Sequence, residues 1–412
     1  MKKILIILGS IILAIALIFL GLFIANEINK AAILEYIEGF DSVEYSDQLE
    51  PMLDEFGNYY FTTDREFKVL HLTDVHLTGG VFFSGGDKKA LNAVAAMVKA
   101  EKPDLVVTTG DISFAVPWTG TLNNAYAHGY FAALMEKLGV YWTVTFGNHD
   151  SEGYNYHGRS AVAKMYEDES LEHCLFSSGP DDVFGECNHV ITVRNSDGYV
   201  TKSLVMIDTN AYMEGDPLGI LWDYDNIHED QIEWYRSVIE QYNEYNVRLY
   251  VEDNGEGSTV PDGIKTVKSL MFMHIPLFEV REAYQEYVNN GRADTDDVKY
   301  LGGNDGETDE VVYCSEQPEE MFETILELGS TEALFYGHDH LNNFRLEYKG
   351  VVLSYGYSID YSAYFGIDGK GYQRGCAVIG IDGDGTVNIV HENYYQDKYP
   401  SVYEKESVDM SK

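Results

Sequence analysis

The chain has 412 residues, and its 28 basic side chains against 68 acidic ones give a formal net charge of −40. A surface this negative repels nucleic-acid phosphates and anionic lipid headgroups, which argues against a general nucleic-acid binder or a peripheral membrane protein. Apolar residues make up 45% of the chain and only 9 residues are proline, so the protein is not disordered. The length permits one large domain or two ordinary ones.

The N-terminus carries a long apolar segment. Lys2 and Lys3 precede an uncharged, mostly apolar run over residues 4–25, and a helix needs about 20 such residues to cross a bilayer. The competing interpretation is a cleaved signal peptide, but the apolar core of a signal peptide is usually shorter and the residues before Asn26 make a poor cleavage site. We therefore favour residues 1–30 as an uncleaved signal anchor, with the remaining chain outside the cytoplasm. If the segment is cleaved, the protein is secreted.

A location outside the cytoplasm would allow disulfide bonds to form. The four cysteines are nevertheless too few for a disulfide scaffold in a chain of this length. Cys174 and Cys187 flank a loop rich in Gly, Ser, Pro and Asp, and a short disulfide could join them. Cys314 and Cys376 are far apart in sequence. Four buried thiols is an equally open interpretation.

The rest of the chain divides into three parts by pattern. Residues 31–66 are a mixed acidic stretch with a short amphipathic piece around Ile33, and we expect a stalk or linker that extends the anchor helix. Residues 67–395 are predicted to form one domain, and residues 396–412 a C-terminal tail.

Within that domain, short apolar runs alternate with helical periodicity. Phe67–Leu72 predicts a buried strand, residues 87–100 predict a helix with one apolar face, and Leu105–Thr109 predicts a second strand. Such a β-α-β unit implies a largely parallel sheet covered by helices, the α/β class. The same patterns predict strands at 141–146, 203–207, 269–274, 333–336, 343–348, 351–355, 376–381 and 386–390, and helices at 130–138, 229–242 and 319–328. Two stretches rich in Gly, Asn and Asp, 252–262 and 289–308, are predicted loops.

Five short polar clusters each stand where an apolar run ends. They are Asp74-Val75-His76, Gly110-Asp111, Gly147-Asn148-His149-Asp150, His274 and Gly337-His338-Asp339-His340. Because the carboxyl ends of the strands share one edge of an α/β sheet, we expect the five clusters to converge. The glycines allow tight turns at the strand ends.

The clusters supply potential metal ligands of mixed oxygen and nitrogen type. These are carboxylates from Asp74 and Asp111, imidazoles from His76, His274, His338 and His340, and an amide oxygen from Asn148. Seven ligands are more than one zinc ion takes, and they fit two metal ions that share one carboxylate. In Asp-Val-His and His-Asp-His the ligands are two positions apart, so an extended segment would present both on one face.

The ordered set D-x-H, G-D, G-N-H-D, H and G-H-x-H resembles the calcineurin-like metallophosphoesterase superfamily, nearest its purple acid phosphatase-like branch. The resemblance implies a four-layer α/β/β/α sandwich. It further implies that one metal is held by Asp74, His76 and His340, the other by Asn148, His274 and His338, with Asp111 bridging them. By the same resemblance His149 points at the substrate phosphate and is oriented by Asp150.

The sequence departs from the purple enzymes at two positions. Those enzymes lack the histidine of D-x-H, which is present here as His76, and they use a tyrosine ligand where this chain has Phe114. A phenylalanine cannot ligate a metal, so no tyrosinate-bound ferric ion is expected.

The resemblance predicts a metal-dependent phosphoric ester hydrolase that uses two divalent or transition metal ions, Mn, Fe or Zn. Attack of a metal-bridging hydroxide on small phosphate esters would be the reaction, with His149 stabilising charge on the phosphate or protonating the leaving group. No nucleic-acid substrate is expected. The alternative is a non-catalytic extracellular binding protein with structural metals. Loss of His149 or of a ligand would have favoured that alternative, and none is lost.

Two further polar residues stand near predicted strand ends or loops. Asp208 is interpreted as a cap of the turn that follows its strand. Arg374 could bind a substrate phosphate, but a surface salt bridge is the favoured interpretation.

Overall fold

The computed structural model describes residues 2–307 and 311–411, with the side chain of Lys2 excluded. Thr308, which ends the second predicted loop, lies outside the described residues, as do Met1 of the predicted anchor and Lys412 of the predicted tail.

The described residues form helices and strands that alternate along much of the chain. The helices are α1 (Lys2–Glu38), α2 (Ser84–Glu101), α3 (Ala125–Leu138), α4 (Arg159–Tyr166), α5 (Glu229–Asn254), α6 (Asp262–Lys265), α7 (Phe278–Asn289) and α8 (Met321–Leu328). The strands are β1 (Met52–Leu53), β2 (Tyr59–Thr62), β3 (Phe67–Leu72), β4 (Leu105–Thr109), β5 (Trp142–Thr145), β6 (His189–Arg194), β7 (Val200–Met206), β8 (Ser269–Phe272), β9 (Val298–Gly302), β10 (Thr331–Tyr336), β11 (Arg345–Tyr348), β12 (Val351–Tyr355), β13 (Gly375–Ile381) and β14 (Val387–Asn393).

The strands form two sheets. One has nine strands in the order β1-β2-β6-β7-β8-β10-β12-β11-β9, and the other has five in the order β14-β13-β3-β4-β5. The central pairs are parallel in both: β3 with β4 and β4 with β5 in the smaller sheet, and β7-β8-β10-β12 in the larger. Their carboxyl ends therefore point the same way within each sheet, as predicted.

The two sheets pack face to face and carry helices on their outer faces. Between the sheets lies one apolar cluster, which includes Phe67, Val107, Leu270 and Phe335. A second cluster joins the smaller sheet to α2, α3, α4 and the last part of α1, and a third joins the larger sheet to α5, α7 and α8. Strands buried on both faces read as continuous apolar runs, as in β4. The predicted four-layer α/β/β/α sandwich is confirmed.

Several elements differ from their prediction. Strand β9 lies within the second predicted loop. It was missed because, of this edge strand, only Val298 is buried, so the sequence has no apolar run there. Strands β2 and β6 and helices α4 and α7 were not predicted. Helix α5 extends past its predicted end, into the first predicted loop as far as Asn254.

Residues 31–66, predicted as a stalk or linker, pack against the domain. Ile33 and Ile37 of α1 are buried in the cluster that covers the smaller sheet, and β2 pairs in parallel with β6 in the larger sheet. Apolar residues of the amphipathic piece repeat at helical spacing because they face α2 and α3 rather than solvent.

The predicted tail also packs on the domain. Tyr399 is buried and its hydroxyl donates to Glu101 at 2.7 Å, while the Tyr403 ring stacks on Tyr36 at 4.0 Å. All four cysteines are free thiols in the structure, so it shows no bond between Cys174 and Cys187.

The N-terminal half of α1 stands apart from these layers. Its side chains are exposed from Lys3 to Gly21. By length and composition alone the helix could cross a membrane, a test that a signal sequence also passes.

Candidate metal centre

All five polar clusters meet at the carboxyl ends of the central strands. Ligand atoms of Asp74, His76, Asp111 and His340 lie within 4.8 Å of one another, and those of Asp111, His274 and His338 do so as well. Asp111 belongs to both groups. The six side chains are buried, and they follow the ends of four strands, β3, β4, β8 and β10.

Distances inside the centre place Asp111 between the two groups. Its Oδ2 lies 3.3 Å from His76 Nε2 and 3.1 Å from His274 Nε2. On one side, Asp74 Oδ1 lies 3.5 Å from His340 Nε2. The two carboxylates thus face imidazole nitrogens from three separate strand ends.

Three buried atoms near Asp111 lack ordinary hydrogen-bond partners. Among the described residues, Asn148 Oδ1 and His338 Nε2 make no hydrogen bond, and His274 Nε2 faces only the Asp111 carboxylate, 3.1 Å away. The other ends of two of them are fixed: Asn148 Nδ2 donates to Tyr212 at 2.9 Å, and His274 Nδ1 donates to the Thr109 carbonyl at 2.8 Å. Buried polar atoms are normally satisfied. A nitrogen and oxygen donor set left open in this way fits a metal ion.

The charges of the centre favour a cation. Burial opposes the charged form of His274, yet Asp111 and Asp74 raise the pKa of His274 to about 9. Burial likewise opposes protonation of His340, but Asp360 and Asp74 raise its pKa to about 10. The buried carboxylates therefore create a negative potential that positive charge neutralises.

The backbone that presents these residues is left-handed at four positions. The φ angles of Asp74, His76, Asp111 and His338 are 50°, 49°, 49° and 76°. The Asp-Val-His segment is thus not extended, and the expectation that an extended strand aligns its two ligands is wrong. Non-glycine residues in this region are strained and cluster at functional sites.

Glycine is required where the turns touch. A Cβ on Gly147 would lie 2.1 Å from Asp111 Oδ1, and one on Gly337 would lie 1.9 Å from Thr73 Oγ1. No side chain fits at either position, so these glycines allow the loops to approach closely.

His149 lies beside the centre and is held by Glu152. Its Nδ1 is 2.7 Å from Glu152 Oε1, and its side chain is 25% exposed whereas the ligands are almost fully buried. Burial lowers the pKa of His149, but Asp111 and Glu152 outweigh that effect and raise it overall.

Asp150 does not contact the His149 ring. Its carboxylate accepts the backbone N–H groups of Asp111, Ser113 and Gly147 at 2.9, 3.0 and 2.8 Å. The expectation that Asp150 orients His149 is therefore corrected: Asp150 fixes the loops after β4 and β5 to each other, and Glu152 orients the imidazole.

Two more residues that sequence reasoning missed complete the surroundings. Tyr212 accepts from Asn148 Nδ2 and its hydroxyl lies 3.3 Å from Glu152 Oε1, so one phenol links a candidate ligand to the partner of His149. Asp360 is buried 3.7 Å from His76 Nδ1 and 3.4 Å from His340 Nδ1. A carboxylate behind two imidazoles fixes their orientation. Neither Tyr212 nor Asp360 belongs to a sequence motif. Of the residues that were missed, only Glu152 had a local indication in the sequence, since it lies three positions after His149.

Two arginines near the site, Arg374, which is buried, and Arg159, which is partly exposed, have structural contacts. Arg159 binds Asp208 through Nε at 2.8 Å and Nη2 at 2.5 Å and donates to the carbonyls of Phe146 and Gly147. Asp208 also caps its own turn, since it accepts Asn210 N at 2.9 Å. Arg374 donates to carbonyls of the loop that carries Asp360 and lies 3.9 Å from Glu406 Oε1; the expected salt bridge is therefore present, but Arg374 is buried rather than at the surface.

Aromatic rings line the centre. Phe114 stacks on His76 with ring centroids 5.0 Å apart, Tyr224 meets His338 at 4.6 Å, and Tyr364 meets His340 at 5.1 Å. The residue at the position of the purple-enzyme tyrosine is thus a non-ligating ring beside His76.

The sequence model of the family described as Calcineurin-like phosphoesterase matches residues 67–342. The chain belongs to this family. The predicted resemblance is confirmed, and two similar proteins of Arabidopsis thaliana carry the name of its purple acid phosphatase branch. Probable inactive purple acid phosphatase 28 is 25% identical over 74% of this chain and 73% of its own length, and probable inactive purple acid phosphatase 29 is 27% identical over 78% of each.

Two further proteins are similar over part of their length or in structure. Phosphatase DCR2 of Saccharomyces cerevisiae is 26% identical over 69% of this chain and 46% of its own length. A crystal structure of a dimetal phosphatase from Danio rerio aligns with a TM-score of 0.46 and 13% identity, over 80% of this chain and 97% of that one. The names of the plant relatives include the word inactive, so membership of this phosphoesterase family leaves activity to be tested.

Proposed function

We propose that this calcineurin-like phosphoesterase binds two metal ions and hydrolyses phosphate esters outside the cytoplasmic membrane. One observation carries the proposal: two buried ligand groups share Asp111, and among the described residues Asn148 Oδ1 and His338 Nε2 have no hydrogen-bond partner while His274 Nε2 faces only Asp111. A protein that had lost its metals would gain by filling these positions with apolar side chains.

The residues divide as the family resemblance implies. Asp74, His76 and His340 would hold one ion, Asn148, His274 and His338 the other, and Asp111 both. Manganese, iron and zinc are all compatible with this mixed donor set. Bound there, the ions would supply the Lewis acidity that makes water nucleophilic near neutral pH and polarises a phosphoryl oxygen.

His149 is the residue we assign to the substrate. With Nδ1–H donating to Glu152, Nε2 carries a proton only in the imidazolium form of His149, which the raised pKa of His149 favours; that form could donate to a phosphoryl oxygen or to the leaving oxygen. Tyr212 contacts both Glu152 and Asn148, so it couples the orientation of His149 to that of a metal ligand.

The alternative is a non-catalytic binding protein with structural metals, and the names of the plant relatives are the observation that favours it. The experiment is to purify the protein, measure its metal content and assay an aryl phosphomonoester and diester. We expect about two ions per chain and turnover that His149→Ala lowers by about 100-fold with metal content unchanged. Metal binding without turnover, unaffected by His149→Ala, would leave only the binding role.

The location forms part of the proposal. Helix α1 would anchor the chain with Lys2 and Lys3 in the cytoplasm and the domain outside. A protease added to intact cells should then digest the domain, and alkaline carbonate should fail to extract the protein from membranes. Release of a soluble domain that begins near Asn26 would indicate cleavage and secretion instead.

A further inference from the structure

Helix α1 is joined to the domain along one face. Asn26, Asn29, Ile33 and Ile37 are buried at helical spacing, and Leu22, one turn earlier on the same face, is partly covered. The domain therefore reaches the last turn of the apolar segment. If residues 4–25 lie in a bilayer, the domain surface at this level lies at the bilayer interface.

Two loops form that surface. Asn26 Oδ1 accepts the backbone N–H of Val81 at 2.9 Å, and Asn26 Nδ2 donates to the Gly120 carbonyl at 2.8 Å. Next to these contacts Phe82 and Trp118 are 64% and 61% exposed. Large aromatic side chains left in water on a soluble surface indicate a binding surface, and aromatic rings are enriched at membrane interfaces.

The same two side chains line a cavity of about 590 Å³ that also contains Tyr364 and Phe365. Phe365 is fully exposed. We call Phe82, Trp118, Tyr364 and Phe365 the aromatic rim. The cavity is mostly apolar, and Lys89 and Asp368 are the opposite charges at its edge.

The aromatic rim adjoins the metal centre. The Tyr364 ring lies 5.1 Å from that of His340. Trp118 lies 6.3 Å from Phe114, whose ring stacks on His76. A molecule with an apolar part in this cavity would thus have its polar end next to His76 and His340.

From this continuity of apolar helix, aromatic rim and metal centre, we infer that the substrate is a phosphate ester of a membrane lipid in the leaflet next to the domain. The inference rests on the proposed function and on α1 lying in the bilayer. Water would form the new bond to phosphorus, the bond from phosphorus to the lipid oxygen would break, and the proton would pass to that oxygen. The lipid alcohol would stay in the membrane and phosphate would leave.

Lysines available to an anionic headgroup stand around the exit of α1, beside one acidic residue, Glu27, which accepts from the Tyr126 hydroxyl at 2.6 Å. Lys30, Lys88 and Lys89 lie over aromatic rings around the exit of α1, at 5.7, 5.4 and 5.7 Å from the centroids of Tyr126, Tyr36 and Tyr361. Apolar contact between the aromatic rim and acyl chains does not depend on charge.

The test compares a lipid substrate with a soluble one. Full-length protein in phosphatidylcholine vesicles that contain phosphatidic acid is assayed for phosphate release, and the same preparation is assayed with an aryl phosphate. We expect the double variant Phe82→Ser, Phe365→Ser to lower lipid hydrolysis by about 10-fold and to leave aryl phosphate turnover unchanged. Leu53→Ser is the matched control, since Leu53 is 61% exposed on the edge strand β1.

A second readout does not depend on activity. Vesicles with brominated acyl chains should quench the emission of Trp118, and the quenched fraction should fall in Trp118→Phe. Turnover of the aryl phosphate alone, or lipid hydrolysis that the double variant leaves unchanged, would overturn this inference and leave the proposed function standing. No turnover of either substrate would overturn both.

Discussion

Glu152 Oε1 lies 2.7 Å from Nδ1 of His149, three positions earlier in the chain. A carboxylate in this place fixes the tautomer and the direction of the imidazole, so that its other nitrogen faces the substrate side. The role of Glu152 is therefore that of a positioning residue.

Replacement of Glu152 should separate orientation from charge. We expect Glu152→Ala to lower kcat for an aryl phosphate by about 10-fold or more, whereas Glu152→Gln, which retains an acceptor for Nδ1–H, should keep most of the activity. Metal content by elemental analysis should not change in either variant. Equal losses in the two variants, or loss of metal, would contradict a positioning role.

Asp150 should instead determine stability. Asp150→Ala would leave the backbone N–H groups of Asp111, Ser113 and Gly147 buried without their acceptor, at about 1–3 kcal/mol for each group. The free energy of unfolding in urea should fall by about 3 kcal/mol or more, while His149→Ala should change it by less than about 1 kcal/mol. A variant with native stability and low kcat would restore Asp150 as the partner of His149.

Asp360 should control metal affinity. Its carboxylate lies behind both His76 and His340, and loss of such a partner typically weakens metal binding by about 10–100-fold. Asp360→Asn should lose one ion more readily in a chelator titration. Asp368→Asn, an exposed change in the same loop, is the control, and equal chelator sensitivity of the two variants would refute the assignment.

The last part of α1 should be required for stability. Removal of residues 1–25 should leave the fold intact, because those side chains are mostly exposed. Removal of residues 1–38 would also delete Ile33 and Ile37, whose burial contributes about 4 kcal/mol together. Thermal unfolding of the two truncated proteins compares them directly, and equal melting temperatures would show that α1 contributes only an anchor.

Acid should destabilise the protein through two buried histidines. Burial lowers the pKa of His71 to about 3 and that of His189 to about 4, while an unfolded histidine titrates near pH 6.5. The unfolded chain therefore binds more protons as the pH falls, so stability is full above about pH 6.5 and declines toward the folded pKa values.

Each histidine contributes a slope of about 1.4 kcal/mol per pH unit. Asp87, Glu279 and Glu319, whose pKa values burial raises to about 7, 7 and 8, contribute slopes of the opposite sign, so the histidine contribution is read as the difference between this protein and the variants His71→Asn and His189→Asn. Urea unfolding of chelator-treated protein between about pH 7 and pH 5 measures it without a contribution from metal release. A pH dependence that His71→Asn and His189→Asn leave unchanged would show that both imidazoles titrate in the folded protein as they do in the unfolded chain.

The site could be predicted where its chemistry stands in the local sequence. Six candidate ligands follow apolar runs, so the sequence indicated both the strand ends and the types of ligand. They are Asp74, Asp111, Asn148, His274, His338 and His340. Asp360 and Tyr212 could not be predicted, because their roles come only from proximity in the fold. The same holds for Arg159, whose contacts with Asp208 and the Phe146 carbonyl join segments that are distant in sequence.

The secondary structure, too, could be predicted for some elements and not for others. Strands buried on both faces, such as β3 and β4, gave continuous apolar runs that predict them, whereas the edge strand β9 is half exposed and was missed. The amphipathic residues after the anchor were recognised but assigned to a stalk, since a sequence shows that a helix has an apolar face and not what covers that face.

The left-handed backbone of four candidate ligands lowers the stability of the folded protein. These residues are Asp74, His76, Asp111 and His338. Each such residue is strained by about 1–3 kcal/mol, and glycine would relieve that strain while removing the ligand. Chains that have lost the need for metal would thus gain stability by substitution at these four positions. The presence of all four side chains in this protein costs stability, and the proposed metal-dependent role accounts for that cost.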